Sequence, residues 1–125
     1  MRESLRYFEN AKELLSKSPI EDDTYTDMKY VQKACGTAYL SVLKAIDEYL
    51  ISKGVDPKDL PQSVDGYREA IKKYLTPYDG KLTREFEKVY KALHIAGYYR
   101  GLLDDVNALK NYFKVVKGFI EKISF

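Results

Sequence analysis

The residues of this chain whose types and spacing could do chemistry gather in one stretch, Val89 to Gly101, which reads VYKALHIAGYYRG. Tyr90, His94 and either Gly97 or Tyr98 fall on one face at helical spacing, beside an apolar row that includes Leu93 and Ala96. Tyr99 and Arg100 follow at the helix end. As a binding patch, Arg100 would clamp an anion or a nucleotide phosphate while the tyrosines stack on a base. As a structural feature, His94 and the tyrosines would form a satisfied polar belt at the edge of the core, with Arg100 near backbone carbonyls or Asp104. Tyrosines at helix ends commonly keep their hydroxyls wet, and this weights the reading toward the belt.

Other chemistries lack their parts. Metal binding needs several convergent ligands, and a chain with one histidine and one cysteine offers only carboxylate sites, so no metal is expected. Nucleophilic catalysis would have to use His94, and nothing near it in sequence marks a nucleophile turn. Glycine-rich phosphate loops are missing, no cofactor is implied, and a non-catalytic protein is the expectation. A lysine row, Lys110, Lys114, Lys117 and Lys122, lies opposite the apolar stripe of the last helix and reads as a solvated face, although such rows can also bind phosphates or an acidic partner. Glu21, Asp22 and Asp23 form a short acidic run that could stabilise the start of the following helix through its dipole.

The elements that must position these residues are helical. Tyr25 to Lys53 is the central one, with Met28, Val31, Cys35, Ala38, Val42, Ile46 and Tyr49 recurring mostly at steps of three and four. A second row of Ala34, Tyr39, Leu43 and Leu50 widens the stripe, so a helix about 40 Å long touches several neighbours at once. Thr24 and Asp27 form a capping-box-like pair at its start, while Gly54, Val55 and Pro57 mark its end. Small residues at its middle, Ala34, Gly36, Thr37, Ala38 and Ser41, would let another backbone approach closely, either within the chain or from a second subunit.

Before it, Glu3 to Ser16 reads as a plain amphipathic helix closed by Ser18 and Pro19. After it, helices are predicted from Ser63 to Leu75 and from Leu82 to Ala96, the latter on Leu82, Phe86, Val89, Leu93 and Ala96. The glycines of GYYRG predict a break at Gly97 to Gly101. A last helix follows on Leu102, Val106, Leu109, Phe113, Val116, Ile120 and Ile123, with Asp104 or Asp105 in its first turn. No stretch alternates with period two, so the fold class is all-α, an up-and-down bundle of four to five helices forming one domain over residues 1–125.

The 125 residues carry a net charge of only +2, far from the footprint of a protein built to ride on phosphate backbones. The first residues lack the apolar core of a signal peptide, no run reaches membrane-spanning length, and the lone Cys35 sits in the apolar stripe, so the expectation is a cytoplasmic chain without a membrane role.

The segment KYVQKACGTAYLSVLKAIDEYLISKG resembles the second helix of HEPN-like bundles, in which a small-residue segment ending in Ala-Tyr sits midway along a long helix that closes in Lys-Gly. The preceding amphipathic helix and the LHIAGYYRG turn before a last long helix resemble the same layout. The chain is also similar to a small bacterial family, chiefly from Bacteroidetes, of unknown function. The HEPN resemblance implies a helical bundle that dimerises or binds a nucleotide, nucleic acid or protein, since many HEPN proteins are ribonucleases or partners of nucleotidyltransferases. Active HEPN nucleases carry an arginine four to six residues before a histidine. Here Lys88, Val89 and Tyr90 occupy those positions before His94, and the nearest upstream arginine is Arg84, so no catalytic residue carries over. The expectation is an interaction module, self-associating as a homodimer or contacting another protein, with RNA or nucleotide binding as the alternative.

Overall fold

The computed structural model describes residues 2–124. The elements run α1 (Glu3–Ser16), β1 (Ile20–Glu21), β2 (Thr24–Tyr25), α2 (Met28–Ser52), α3 (Val64–Ala70), α4 (Lys81–Val89) and α5 (Val106–Ile123). Two of the helices continue into π-helical backbone, α3 through Ile71–Leu75 and α4 through Tyr90–Tyr99. The molecule is an all-α bundle in which α2 packs against α1, against Tyr90–Tyr99 and against α5. Val31, Ala34, Cys35, Ala38, Val42 and Ile46 of α2 are all sealed from solvent. That broad buried surface is why one helix serves three neighbours. No helix among the described residues is long and apolar enough to cross a membrane.

Local chemistry sets several boundaries where the sequence places them. At the end of α2, Gly54 takes φ +94°, and the amides of Gly54 and Val55 donate to the carbonyls of Ile51 and Leu50, both at 3.0 Å. This is a Schellman closure, which needs a residue free to enter the left-handed region. The Ser63 hydroxyl accepts from the Gly66 amide at 3.0 Å and caps α3.

Other boundaries differ. The central helix begins at Met28 rather than Tyr25, and its cap is Asp27, whose carboxylate accepts from the Lys29 amide at 3.2 Å. Thr24 and Tyr25 pair instead with Glu21 and Ile20 in a two-residue antiparallel hairpin. The acidic run supplies its turn, with Asp22 at φ 49° and Asp23 at φ 60°. Positive φ at both central positions is the geometry that matches strand twist in a two-residue hairpin, and aspartate tolerates it better than most residues. Strands this short leave no alternating pattern to read. The hairpin also grips the start of α5: the Tyr25 amide donates to the Asp104 carbonyl and the Val106 amide to the Asp23 carbonyl, both at 2.9 Å. Asp105 caps α5 through the Ala108 amide at 2.8 Å, so neither Asp104 nor Asp105 lies within its first turn. Leu102, placed on the α5 stripe by its spacing, is outside the helix and 62% exposed. Phe119, off that stripe, is fully buried.

The predicted break falls at the end of the Gly97 to Gly101 window, and the helix does not stop at Ala96. The helix runs on to Tyr99 because its hydrogen bonds widen: the Arg100 amide donates to the Ile95 carbonyl five residues back, at 2.9 Å. Extra residues per turn lengthen the interval between buried positions, which become Val89, Leu93 and Gly97. Ala96, predicted to face inward, is displaced to a half-buried position by that widening. The chain turns only at Gly101, at φ +63°.

Candidate functional site

Two glycines in different helices bring the aromatic residues together. A Cβ at Gly97 would lie 2.6 Å from Cys35 Sγ, and a Cβ at Gly36 would lie 2.6 Å from Tyr98 Cδ1. The π-helical stretch therefore presses its backbone onto Cys35 while α2 presses its own backbone under the Tyr98 ring. Cys35 is sealed there, and burial pushes its thiol up to about 12. The Gln32 amide fastens the far end by donating to the Tyr98 carbonyl at 3.1 Å.

On this scaffold Tyr90, His94 and Tyr98 form a ladder. His94 stacks on Tyr90 with ring centroids 5.5 Å apart and on Tyr98 at 5.9 Å, with the latter pair inclined by only 12°. Tyr39 of α2 stacks on His94 from the side at 4.8 Å. Burial, followed by the neighbouring Tyr90, pushes the Tyr39 phenol up to about 12. The Arg68 guanidinium sits 5.1 Å from the Tyr90 ring centroid, in cation–π range. Glu87 accepts two hydrogen bonds from Arg68, at 2.8 and 2.9 Å, and Asp65 accepts a third at 2.9 Å. A second polar link lies beside it, where the Tyr67 hydroxyl donates to Asp47 at 2.9 Å.

Of the five residues singled out by spacing, the structure joins Tyr90, His94 and Tyr98 and leaves the other two aside. Tyr99 is 76% exposed, Arg100 is exposed, and neither lines the hollows beside the ladder. The cation at the aromatic stack is Arg68. Nothing in the sequence marks that role, because Arg68 reaches Tyr90 from a separate helix. Tyr39 was legible only as a member of the core stripe.

Two hollows flank the ladder and share Tyr39, Leu43 and His94. The larger, about 510 Å³, is mostly apolar and adds Leu14, Gly36, Thr37, Leu40 and Tyr98, with Lys33 at its edge. The smaller, about 310 Å³, adds Tyr67, Tyr90 and the residues Gln62 to Val64. A still larger hollow of about 590 Å³ lies by the α2–α3 connection and shares no residue with the ladder. The arrangement presents flat π faces and an apolar recess, suited to holding a planar group or a partner's side chain. Among the described residues, His94 has no hydrogen bond to a nucleophile or an orienting carboxylate, and no group of three or more His, Cys, Asp or Glu could hold a metal ion.

The Arg68–Glu87 pair makes a testable pH dependence. Hydrogen bonding from Arg68, the largest cause, holds the Glu87 carboxyl below its ordinary range. Its contribution to stability is thus complete above the unfolded-state carboxylate pKa and is lost as pH falls through the lower folded-state value. Asp47 runs the other way, since burial raises it and protonation in the folded state relieves that cost. Glu87→Gln is expected to lower the melting temperature by ~2–4 °C at neutral pH. Thermal melts of the two proteins should converge as the pH drops below about 4.

Comparison with known proteins places this geometry among relatives. A solved structure of a protein of unknown function from Dyadobacter fermentans matches with a TM-score of 0.79 and 33% identity, over 97% of this chain and 90% of that one. No curated protein matches the chain. A family model described as a domain of unknown function, DUF5618, matches residues 1–125, and the chain belongs to that family.

Proposed function

We propose that this chain is a non-catalytic interaction module of the cytoplasm that pairs with a second copy of itself through the apolar hollow beside the aromatic ladder. The observation that carries this reading is the exposure of two large apolar groups at one recess: Leu40 is 45% exposed and Tyr98 48%, and both border a hollow that also reaches Leu14 and Leu43. Single exposed leucines are ordinary, whereas a projecting pair beside an apolar recess is the complementarity a two-fold interface needs. Each copy would insert its Leu40 and Tyr98 into the hollow of the other. Light scattering after size exclusion is expected to give twice the 14.5 kDa chain mass for the native protein and the single mass for Leu40→Asp. A native protein that is monomeric at tens of micromolar would overturn the dimer.

A HEPN-like RNA or nucleotide binder, partnered with a nucleotidyltransferase, is the second reading. Its support is the exposed Tyr98 face at the end of a stacked ladder with Lys33 beside it, a platform on which a base could lie. Titration with nucleotides and single-stranded RNA at low salt separates the two readings. Silence there, or unchanged binding by Tyr98→Ala, removes the second.

A further inference from the structure

The four lysines of the α5 row are all exposed, as a solvated face requires, but their surroundings differ. Lys122 leaves the row, donating to Glu85 at 2.6 Å and lying 3.6 Å from Asp79. Lys110, Lys114 and Lys117 instead border a trough of about 380 Å³ between α1 and α5, and Lys12 of α1 borders its other side. The floor is apolar and nearly sealed: Phe8, Leu15, Tyr25 and Phe113 show only their edges, with the Phe8 and Phe113 ring centroids 6.0 Å apart, and the lysine stems supply the rest of the apolar lining. No carboxylate lines the trough. Among the described residues, Lys110 and Lys114 have no carboxylate within ion-pair distance. Lys12 and Lys117 have only exposed intrahelical carboxylate partners, Glu9 at 3.5 Å and Glu121 at 3.9 Å, and Lys12 Nζ also lies 5.6 Å from the Phe8 ring centroid. Such pairs are weak and exchange readily for an incoming carboxylate.

We propose that this trough docks an acidic amphipathic helix from another protein, its apolar face on the lysine stems and the exposed edges of Phe8, Leu15 and Phe113 and its flanking carboxylates against the ammonium groups. Charge complementarity selects the occupant. Four ammonium groups rim the trough with no acid among its lining residues, so an anionic partner relieves their mutual repulsion. The apolar floor selects the form. A phosphate backbone would meet the lysines but set nothing on the phenylalanines, and a flat lipid surface would bridge the rim above a floor recessed between two helices. A helix lying along the trough does both, because its apolar stripe and its flanks face different directions. Lys110 to Lys117 spans about 10 Å of α5, two turns, which matches carboxylates repeating every three or four residues on the partner.

The test is fluorescence anisotropy of the full chain with a labelled synthetic helical peptide bearing leucines at i, i+3, i+4 and i+7 and glutamates on both flanks. Expected are saturable binding, a loss of about tenfold or more in the double variant Lys110→Glu with Lys114→Glu, and a similar loss when the peptide's glutamates become glutamines. Lys110→Gln with Lys114→Gln should fall between native protein and charge reversal, and serves if the reversal perturbs folding. The same peptide composition in scrambled order should bind at least about tenfold more weakly, since it lacks the apolar face. Equal binding of ordered and scrambled peptides, no response to either lysine variant, or lysine-dependent binding of phosphatidylglycerol vesicles or single-stranded RNA without peptide binding would each overturn the proposal. Leu40→Asp, which addresses the other surface, should leave peptide binding intact, so this result is independent of the dimer.

Discussion

Phe119→Ala is expected to cost the fold about 3–5 kcal/mol, the largest loss of any single truncation considered. Phe119 is fully sealed from solvent on the inner side of α5, directly before the equally buried Ile120. Removing the ring loses its transfer free energy and leaves a void that packed helices close only in part. Domains of this size are typically stable by ~5–15 kcal/mol, so the variant would be left marginal. Urea denaturation should show a lower midpoint with an unchanged slope. Leu102→Ala is the matched control: at 62% exposure its midpoint should stay within error of the native protein. A Phe119→Ala midpoint close to native would mean that α5 is not packed as described.

The second large effect is expected at Gly97. Alanine there gains helix propensity of up to about 1 kcal/mol, but its Cβ must enter filled space. It would stand 2.6 Å from Cys35 Sγ, 2.9 Å from Cys35 Cβ and 3.2 Å from the Ala92 carbonyl oxygen. Cys35 is itself fully buried on the central helix and has nowhere to go, so the two helices must separate. Overpacking of this kind costs about 1–3 kcal/mol and outweighs the propensity gain. Adding Cys35→Ala should restore part of the loss by removing the sulfur, a coupling that a double-mutant cycle reads directly. Gly36→Ala provides the contrast. Its Cβ meets Tyr98 Cδ1 at 2.6 Å, but that ring is half exposed and can swing outward. Stability should change little, while the hollow beside Tyr98 is reshaped and self-association weakens. A Gly36→Ala protein less stable than Gly97→Ala would contradict this ranking.

These two glycines show how part of the site was legible and part was not. Spacing alone put Tyr90, His94 and either Gly97 or Tyr98 on one face, because neighbours three or four apart on a helix meet, and the structure selects Tyr98. The same reasoning read both glycines of GYYRG as marks of a break, which holds for Gly101 and not for Gly97. In isolation a glycine has that meaning, and only the presence of Cys35 on another helix reveals that the missing side chain is a requirement of packing. Arg100 and Tyr99 adjoin the patch in sequence but not in space. Arg68 is the reverse, remote along the chain and in contact with Tyr90. The lysine row illustrates the same limit, since three members border an apolar trough and one turns to Glu85 and Asp79 according to what lies across from them.

By itself the sequence determined the all-helical class, the broad buried surface of the central helix, the closure at Gly54 and the Ser63 cap. Each depends on interactions within a few residues or on a period that any amphipathic helix must show. Only the tertiary structure decided the Asp22–Asp23 hairpin, the widening of the helix after Val89, the Tyr39–His94 and Arg68–Tyr90 contacts, and which side of each helix was left open. Those features arise where distant segments meet, and the free energy of burying one surface against another overrides what either segment prefers alone.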